Sequence, residues 1–366
     1  MFNGLEGLVK SLYSSFYTDL KIAPAAGKFM IITPEQLQKL RGLEDIKNFS
    51  LVAEEKALIQ NQDGNYQSFT MLKGVDSNYR YVSGVEAHIM SGSFNIGSVD
   101  SPLLILGAGV ENALHVLSDR NIFQLKVYLG KRTSSKVLNE EDLSVELINT
   151  SGTFVIQQDF DNKYAITNLD FVKRMLGLKP NEFGGVEIAL KDPGQANEMK
   201  SQLQKIFGSD YKIQSRYEQN QSLYSVMQLE KWAIYAVLTL ILLIAAFNMI
   251  GSLTMLVLEK QKDINVLIAM GTKRSFIQKI FLSEGLLIAI IGGVIGMLLA
   301  LVMAWFQTRY GWVKLEGGSF LIDAFPVSLK IGDFLLVWLT VLVIALLASW
   351  LPSRKAALNE FNLRSE

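Results

Sequence analysis

Few residues in this sequence could carry chemistry unaided. It contains no cysteine, which removes disulfides, thiolate metal sites and thiol nucleophiles together. Its two histidines, His88 and His115, are too few for a histidine-rich zinc centre. His115 falls in a short predicted helix beside Val116 and Leu117, a setting that suits a structural role. Leu106-Gly107-Ala108-Gly109-Val110-Glu111-Asn112 begins like a dinucleotide-binding turn, but that fingerprint needs a third small residue where Asn112 stands. It reads instead as a tight turn from strand to helix. No Gly-x-x-x-x-Gly-Lys-Ser/Thr run supplies a phosphate cradle. Glu140-Glu141-Asp142 reads as a solvated loop, and no Ser/His/Asp set falls at a recognisable spacing. The 35 basic and 35 acidic residues cancel, so no basic surface for nucleic acid is indicated. The sequence therefore predicts no catalytic residue, no cofactor and no metal site.

Polar groups set inside long apolar runs are more informative. The 366 residues are 49% hydrophobic and only 19% charged, where soluble proteins carry about 25% charge. Trp232 to Leu258, Gly285 to Thr308 and Phe334 to Ser353 are uncharged runs of 27, 24 and 20 residues. About 20 apolar helical residues cross a hydrocarbon core of about 30 Å. Three membrane spans are predicted, at about 232–258, 280–306 and 333–352. Asn248 lies within the first, and Glu284 lies near the inner end of the second. Ionisable groups inside a membrane are functional candidates. Alternatively, Glu284 sits at headgroup depth near Lys279 as an anchor, and Asn248 pairs across helices. Gly292, Gly293 and Gly296 supply the small residues that let helices approach closely.

Charge sets the orientation. Residues 1–231 hold 24 basic and 27 acidic residues, whereas residues 232–366 hold 11 and 8. The loop between the first two spans carries Lys260, Lys262, Lys273, Arg274 and Lys279, which marks it as cytoplasmic. The C-terminal tail follows it inside, and residues 1–231 lie outside. Nothing in Met1 to Tyr17 resembles an apolar leader, since Glu6 and Lys10 interrupt it. A further membrane helix ahead of Met1 is expected, lost by truncation or by a misassigned start. The alternative is that residues 1–231 are cytoplasmic and the charge bias misleads. Within the inner loop, Val266, Leu267 and Met270 recur at helical spacing after the charged start Lys260 to Asp263, and Gly271 ends the pattern. This predicts a short amphipathic helix over about 260–271. It either anchors to the membrane surface or is presented to a cytoplasmic partner.

The outer portion reads as mixed α/β. Thr33-Pro34-Glu35-Gln36 predicts a capped helix over about 34–41. Strands are predicted over 50–60, 66–73, 123–129, 154–157, 164–167, 185–190 and 211–214. Helices are predicted over 168–176, ended by Gly177, and from Asp192-Pro193 to about Phe207. Residues 50–165 are strand-rich, and residues 165–215 form a smaller α/β part. A last helix, about 217–258, is expected to run unbroken into the membrane.

Residues 221–300 contain Gln-Ser-Leu-Tyr-Ser-Val-Met-Gln-Leu-Glu-Lys-Trp, Leu-Leu-Ile-Ala-Ala-Phe-Asn-Met-Ile and Leu-Glu-Lys-Gln-Lys-Asp-Ile-Asn-Val-Leu-Ile-Ala-Met-Gly-Thr. They resemble the FtsX-type permease domain of ABC transporters, and more narrowly the LolC/LolE lipoprotein-releasing permeases. Trp350 to Ala357 resembles the closing motif of that family, and Asn3-Gly4-Leu5-Glu6 resembles the stretch after its first membrane helix. The resemblance implies a periplasmic α/β domain of the MacB-like type over 1–231 and a permease domain over 232–366. It implies a coupling helix in which Lys260, Lys262, Asp263, Ile264, Leu267, Met270 and Gly271 dock a separate ATPase. It further implies a second permease chain, identical or paralogous, in the bacterial inner membrane, with a lipoprotein cargo and a periplasmic carrier. The family has four spans, and this sequence departs from it in the first.

Three other functions stay open on the sequence. A MacB-like efflux permease would co-purify with a tripartite adaptor. An FtsX-like scaffold would activate a cell-wall hydrolase and transport nothing, although its extracellular insertion is smaller. A membrane-anchored binding protein would need no ATPase.

Overall fold

The two-residue alternation of the N-terminal portion folds into a ten-stranded sheet in a computed structural model of the protein, which describes residues 2–120, 124–131, 143–314 and 324–358. Phe123, the acidic run at 140–142 and tail residue Arg364 lie outside the described residues. The chain divides into two units, residues 8–224 and residues 2–7 with 225–314 and 324–358. The first runs from residue 8 onward of helix α1 (Phe2–Phe16) through strands β1 (Leu20–Pro24) and β2 (Met30–Ile31), helix α2 (Pro34–Arg41) and strands β3 (Ile46–Gln60), β4 (Gln67–Val75), β5 (Ile89–Gly92) and β6 (Leu103–Gly107). Helix α3 (Ala108–Leu114), strands β7 (Gln124–Gly130) and β8 (Leu143–Phe154), helix α4 (Gln158–Asp161), strand β9 (Tyr164–Asn168) and helix α5 (Leu169–Leu176) follow. Strands β10 (Glu182–Phe183) and β11 (Gly185–Leu190), helix α6 (Ala196–Phe207), strand β12 (Tyr211–Ser215) and helix α7 (Arg216–Gln219) complete it.

One long strand organises this unit. β3 pairs with β4 along one edge, from Val52 to Gln60. Its other edge takes β11 up to Val52 and β7 from Ala57 onward. β7 returns through β8, β6, β9 and β4 to β3, so six strands close a ring. β11, β1 and β12 continue the sheet away from the first half of β3. Side chains of alternate strand residues fill the interior, among them Ile59, Leu72, Leu106, Val127 and Leu129. α1 covers a second cluster, in which the Phe16 ring stacks on Phe160 at 4.4 Å.

Four charges cluster beneath α1, Lys73 and Glu187 buried and Lys21 and Glu54 half-buried. Lys73 Nζ lies 2.8 Å from Glu187 Oε1 and 3.7 Å from Glu54, and Lys21 Nζ lies 2.8 Å from Glu54 and 3.4 Å from Glu187. The Lys73 ammonium also stands over the rings of Phe16 and Tyr79, at 4.8 and 4.9 Å. Burial alone would lower Lys73, but Glu187, Tyr79 and Glu54 outweigh it and raise the ammonium well above its usual range. Burial likewise pushes Glu54 up, and Lys21 and Lys73 pull it down further, to about 2.

Two local expectations need correction. The strand expected over 154–157 ends at Phe154. Ile156 N–H instead donates to Asp161 Oδ1, and Gln157 caps α4, so these residues turn the chain into a helix. The final helix is not unbroken. α7 stops at Asn220, whose φ of −137° and ψ of 53° leave the helical region. Asparagine competes for backbone partners locally and favours such breaks. α7 itself is fixed by the Arg216–Asp19 ion pair at 2.7 Å and by Gln219 donating to Thr18 O.

The second unit holds helices α8 (Gln221–Glu259), α9 (Gln261–Ala269), α10 (Arg274–Tyr310) and α11 (Ile331–Leu358). Three of them are long and apolar enough to cross a membrane, each extending past its predicted span. Large apolar side chains such as Phe247 and Met303 face outward, while Ala345, Ser349, Ser353 and Ala356 are buried. A Cβ on Gly285 would lie 2.0 Å from Ser349 Oγ, so α10 and α11 meet at a distance that only glycine permits.

Candidate functional site

The candidate site is α9, built from a bend and a stop. Lys260 alone separates it from α8, at φ −88° and ψ 6°. Lys260 N–H still donates to Leu256 O, and Ile264 N–H donates to Lys260 O, both at 3.0 Å. The chain thus bends without a loop. At the far end Thr272 N–H donates to Leu267 O and Gly271 N–H to Ile268 O, the paired closure of a Schellman motif. That closure needs a left-handed residue, and Gly271 supplies it at φ 92°.

One side chain seats the helix. Ile264 is 4% exposed and packs with Val257 of α8, Ile277 and Phe281 of α10 and Ala356 of α11. Ile268, one turn on, is half-buried against the same cluster. Burying one such isoleucine contributes about 1.5–3 kcal/mol, and here the contact reaches all three long helices. The opposite face is open. Lys262, Val266 and Met270 follow one another at four-residue spacing, with Val266 58% and Met270 79% exposed. Asp263 pairs with Lys260 at 3.4 Å, an exposed contact worth little.

Lys260, Lys262, Asp263, Met270 and Gly271 are all exposed, as a docking surface requires, and Leu267 is half-buried. Ile264 is different: it points into the chain's own helices and anchors α9. Helical spacing marks Val266, Leu267 and Met270 as the apolar stripe and Ile264 as a docking residue, whereas the buried seat is formed by Ile264 with Ile268. The four-residue spacing of those two was the available signal. Glu284 lines a groove of about 250 Å³ that also includes Lys260, Asp263 and Leu267, beside α9. Asn248 is exposed on α8. Of the three glycines on α10, Gly293 abuts Trp338 of α11, with a Cβ placed there 2.7 Å from the ring. Gly292 and Gly296 have nothing within 4 Å of an added Cβ. The Gly107–Gly109 turn joins β6 to α3 as expected, and both glycines make room for α4. A Cβ at 107 would lie 2.3 Å from Asp161 O, and one at 109 would lie 1.7 Å from Asn162 Oδ1.

Residues 235–359 match the family described as FtsX-like permease C-terminal. The match falls within the membrane unit, where the motifs in 221–300 and 350–357 resemble that family. Among relatives, the chain is 26% identical over 352 residues to the lipoprotein-releasing system transmembrane protein LolE of Haemophilus influenzae, covering 93% of this chain and 82% of that protein. It is 24% identical over 319 residues to the lipoprotein-releasing system transmembrane protein LolC of Xylella fastidiosa, covering 83% and 74%. Among solved structures, the periplasmic region of MacB from Actinobacillus actinomycetemcomitans aligns with a TM-score of 0.40 at 10% identity, over 60% of this chain and 98% of that one.

Proposed function

We propose that this chain is the permease subunit of an ABC transporter that releases lipoproteins from the bacterial inner membrane to a periplasmic carrier. A separate cytoplasmic ATPase hydrolyses ATP and docks on the Lys262–Val266–Met270 face of α9. The single observation that carries the reading is that α9 has two unlike faces: one open, one locked by Ile264 into α8, α10 and α11. Motion of the docked ATPase passes through that seat into the long helices and on to residues 1–231, the periplasmic domain. A second permease chain packs on the membrane unit, where Gly292 and Gly296 stand uncovered. The lipoprotein cargo is supported by the similarity to the lipoprotein-releasing system proteins LolE and LolC.

The test is made on the full chain in nanodiscs with its co-expressed ATPase. Met270→Asp with Lys262→Glu should cut ATPase co-purification about tenfold and leave thermal unfolding unchanged. Ile264→Ala should keep the ATPase bound while slowing cargo release. Wild-type ATPase recovery with the double variant overturns the docking surface.

A further inference from the structure

We infer that the fork in the sheet at β3 is a binding trough for a single-chain anionic amphiphile. β3 exchanges partners on one edge: β11 ends at Val52 and β7 begins at Ala57, so residues 53–56 pair only with β4. The gap opens a cavity on each side, of about 600 Å³ and about 560 Å³. Both lie within the range of about 300–1,000 Å³ found for small-molecule sites. The two share Lys28, Glu55 and Lys56, which places a charged junction between them.

The limbs differ in character. The larger one is lined by Phe29, Leu58, Phe69, Tyr128, Leu143 and Leu176. Its apolar wall continues over the outside of the ring. Register puts Phe69 opposite Leu58, Leu58 opposite Tyr128 and Tyr128 opposite Val145, a row across four strands on one face. Phe69 is 68% and Val145 50% exposed, so this row is presented outward, unlike the filled interior. The smaller limb is the more polar of the two, lined by Tyr17, Lys21, Glu54, Tyr164 and Gln219 beside Pro24 and Met71.

The charge at the junction selects the headgroup. Lys28 is matched by Glu55 at 2.8 Å and Lys21 by Glu54 at 2.8 Å. Among the described residues Lys56 pairs with no carboxylate, and its ammonium stands 5.3 Å over the Phe69 ring. An acyl chain along the Leu58 row would place a carboxylate or phosphate head at Lys56. A polar peptide fits the apolar limb poorly, and a neutral lipid leaves Lys56 unmatched.

The test uses the full chain in nanodiscs and a long-chain fatty acid bearing a diazirine near its methyl end, with the matching fatty alcohol for comparison. Photolysis should place adducts on peptides containing Leu58, Phe69 or Tyr128, more with the acid than with the alcohol. Leu58→Asp should lower this labelling about tenfold. Lys56→Glu, a surface change that leaves the fold intact, should lower labelling by the acid alone. Adducts confined to α8, α10 and α11 overturn the inference, as does equal labelling by acid and alcohol that Lys56→Glu leaves unchanged. Capture of a protein in place of the probe also overturns it. The inference stands apart from ATPase docking: either can fail while the other holds.

Discussion

The two units invert each other's packing. Residues 8–224 hide large side chains such as Leu72, Phe154 and Phe171 and hold Lys73 and Glu187 as a buried ion pair flanked by half-buried Lys21 and Glu54. The membrane unit exposes large side chains such as Phe247, Leu287 and Met303 and, apart from the cluster around Ile264, buries mainly small ones such as Ala345, Ser349 and Ser353. The cause is the solvent. Water drives apolar surface together, whereas lipid tails are as apolar as leucine and leave close contact as the main source of helix association. One chain therefore follows two rules, with the change at the onset of α8.

Substitutions can break that contrast. The largest effect is expected at Lys73. Lys73→Met leaves Glu187 without its 2.8 Å partner and should destabilise the first unit by about 3–5 kcal/mol. Adding Glu187→Leu should recover much of the loss. All five tryptophans stand at 232 or beyond, so hydrogen exchange, not tryptophan fluorescence, reads this unfolding. Unchanged protection would show that the charges are idle.

Acid should act on the same cluster next most strongly. Glu54 titrates near 2 in the fold and near 4.3 when unfolded. A lowered carboxylate adds stability that is fully present above its unfolded value and is lost as pH falls toward the folded one. The first unit should thus lose on the order of 3 kcal/mol between about pH 4.5 and 2. Glu54→Gln should flatten that part of the unfolding profile.

Gly285→Leu should cost the membrane unit about 1–3 kcal/mol by forcing α10 from α11. Gly292→Leu, with no neighbour in the chain, should stay within about 0.5 kcal/mol. Tryptophan-monitored melting in nanodiscs compares the two, and equal effects would remove the case for close contact at Gly285. Gly271→Ala, which strains a residue at φ 92°, should cost about 1 kcal/mol. It should raise exchange only around the end of α9.

Legibility followed the same division. α2 was written in Thr33-Pro34-Glu35-Gln36, whose capping box forms as read. α5 was written in its stop at Gly177, and the three long helices in runs without charge. Ring closure was not legible, because pairing of β7 with β3 joins residues that no local pattern links. β8 also escaped. Leu143, Val145 and Leu147 alternate properly, but that face is the exposed one, so alternation does not reveal a buried side. At α9 the charged start and Gly271 were read correctly, while the seat was missed because Ile277, Phe281 and Ala356 come from distant turns.

The one-residue joint at Lys260 has a mechanical consequence. A flexible connector absorbs displacement as a small change in loop entropy. Here hydrogen bonds run across the joint from Leu256 to Ile264, and no slack exists to be taken up. Under the proposed docking, a push on α9 would pass to α8 without backlash, because the helix it continues would move with it.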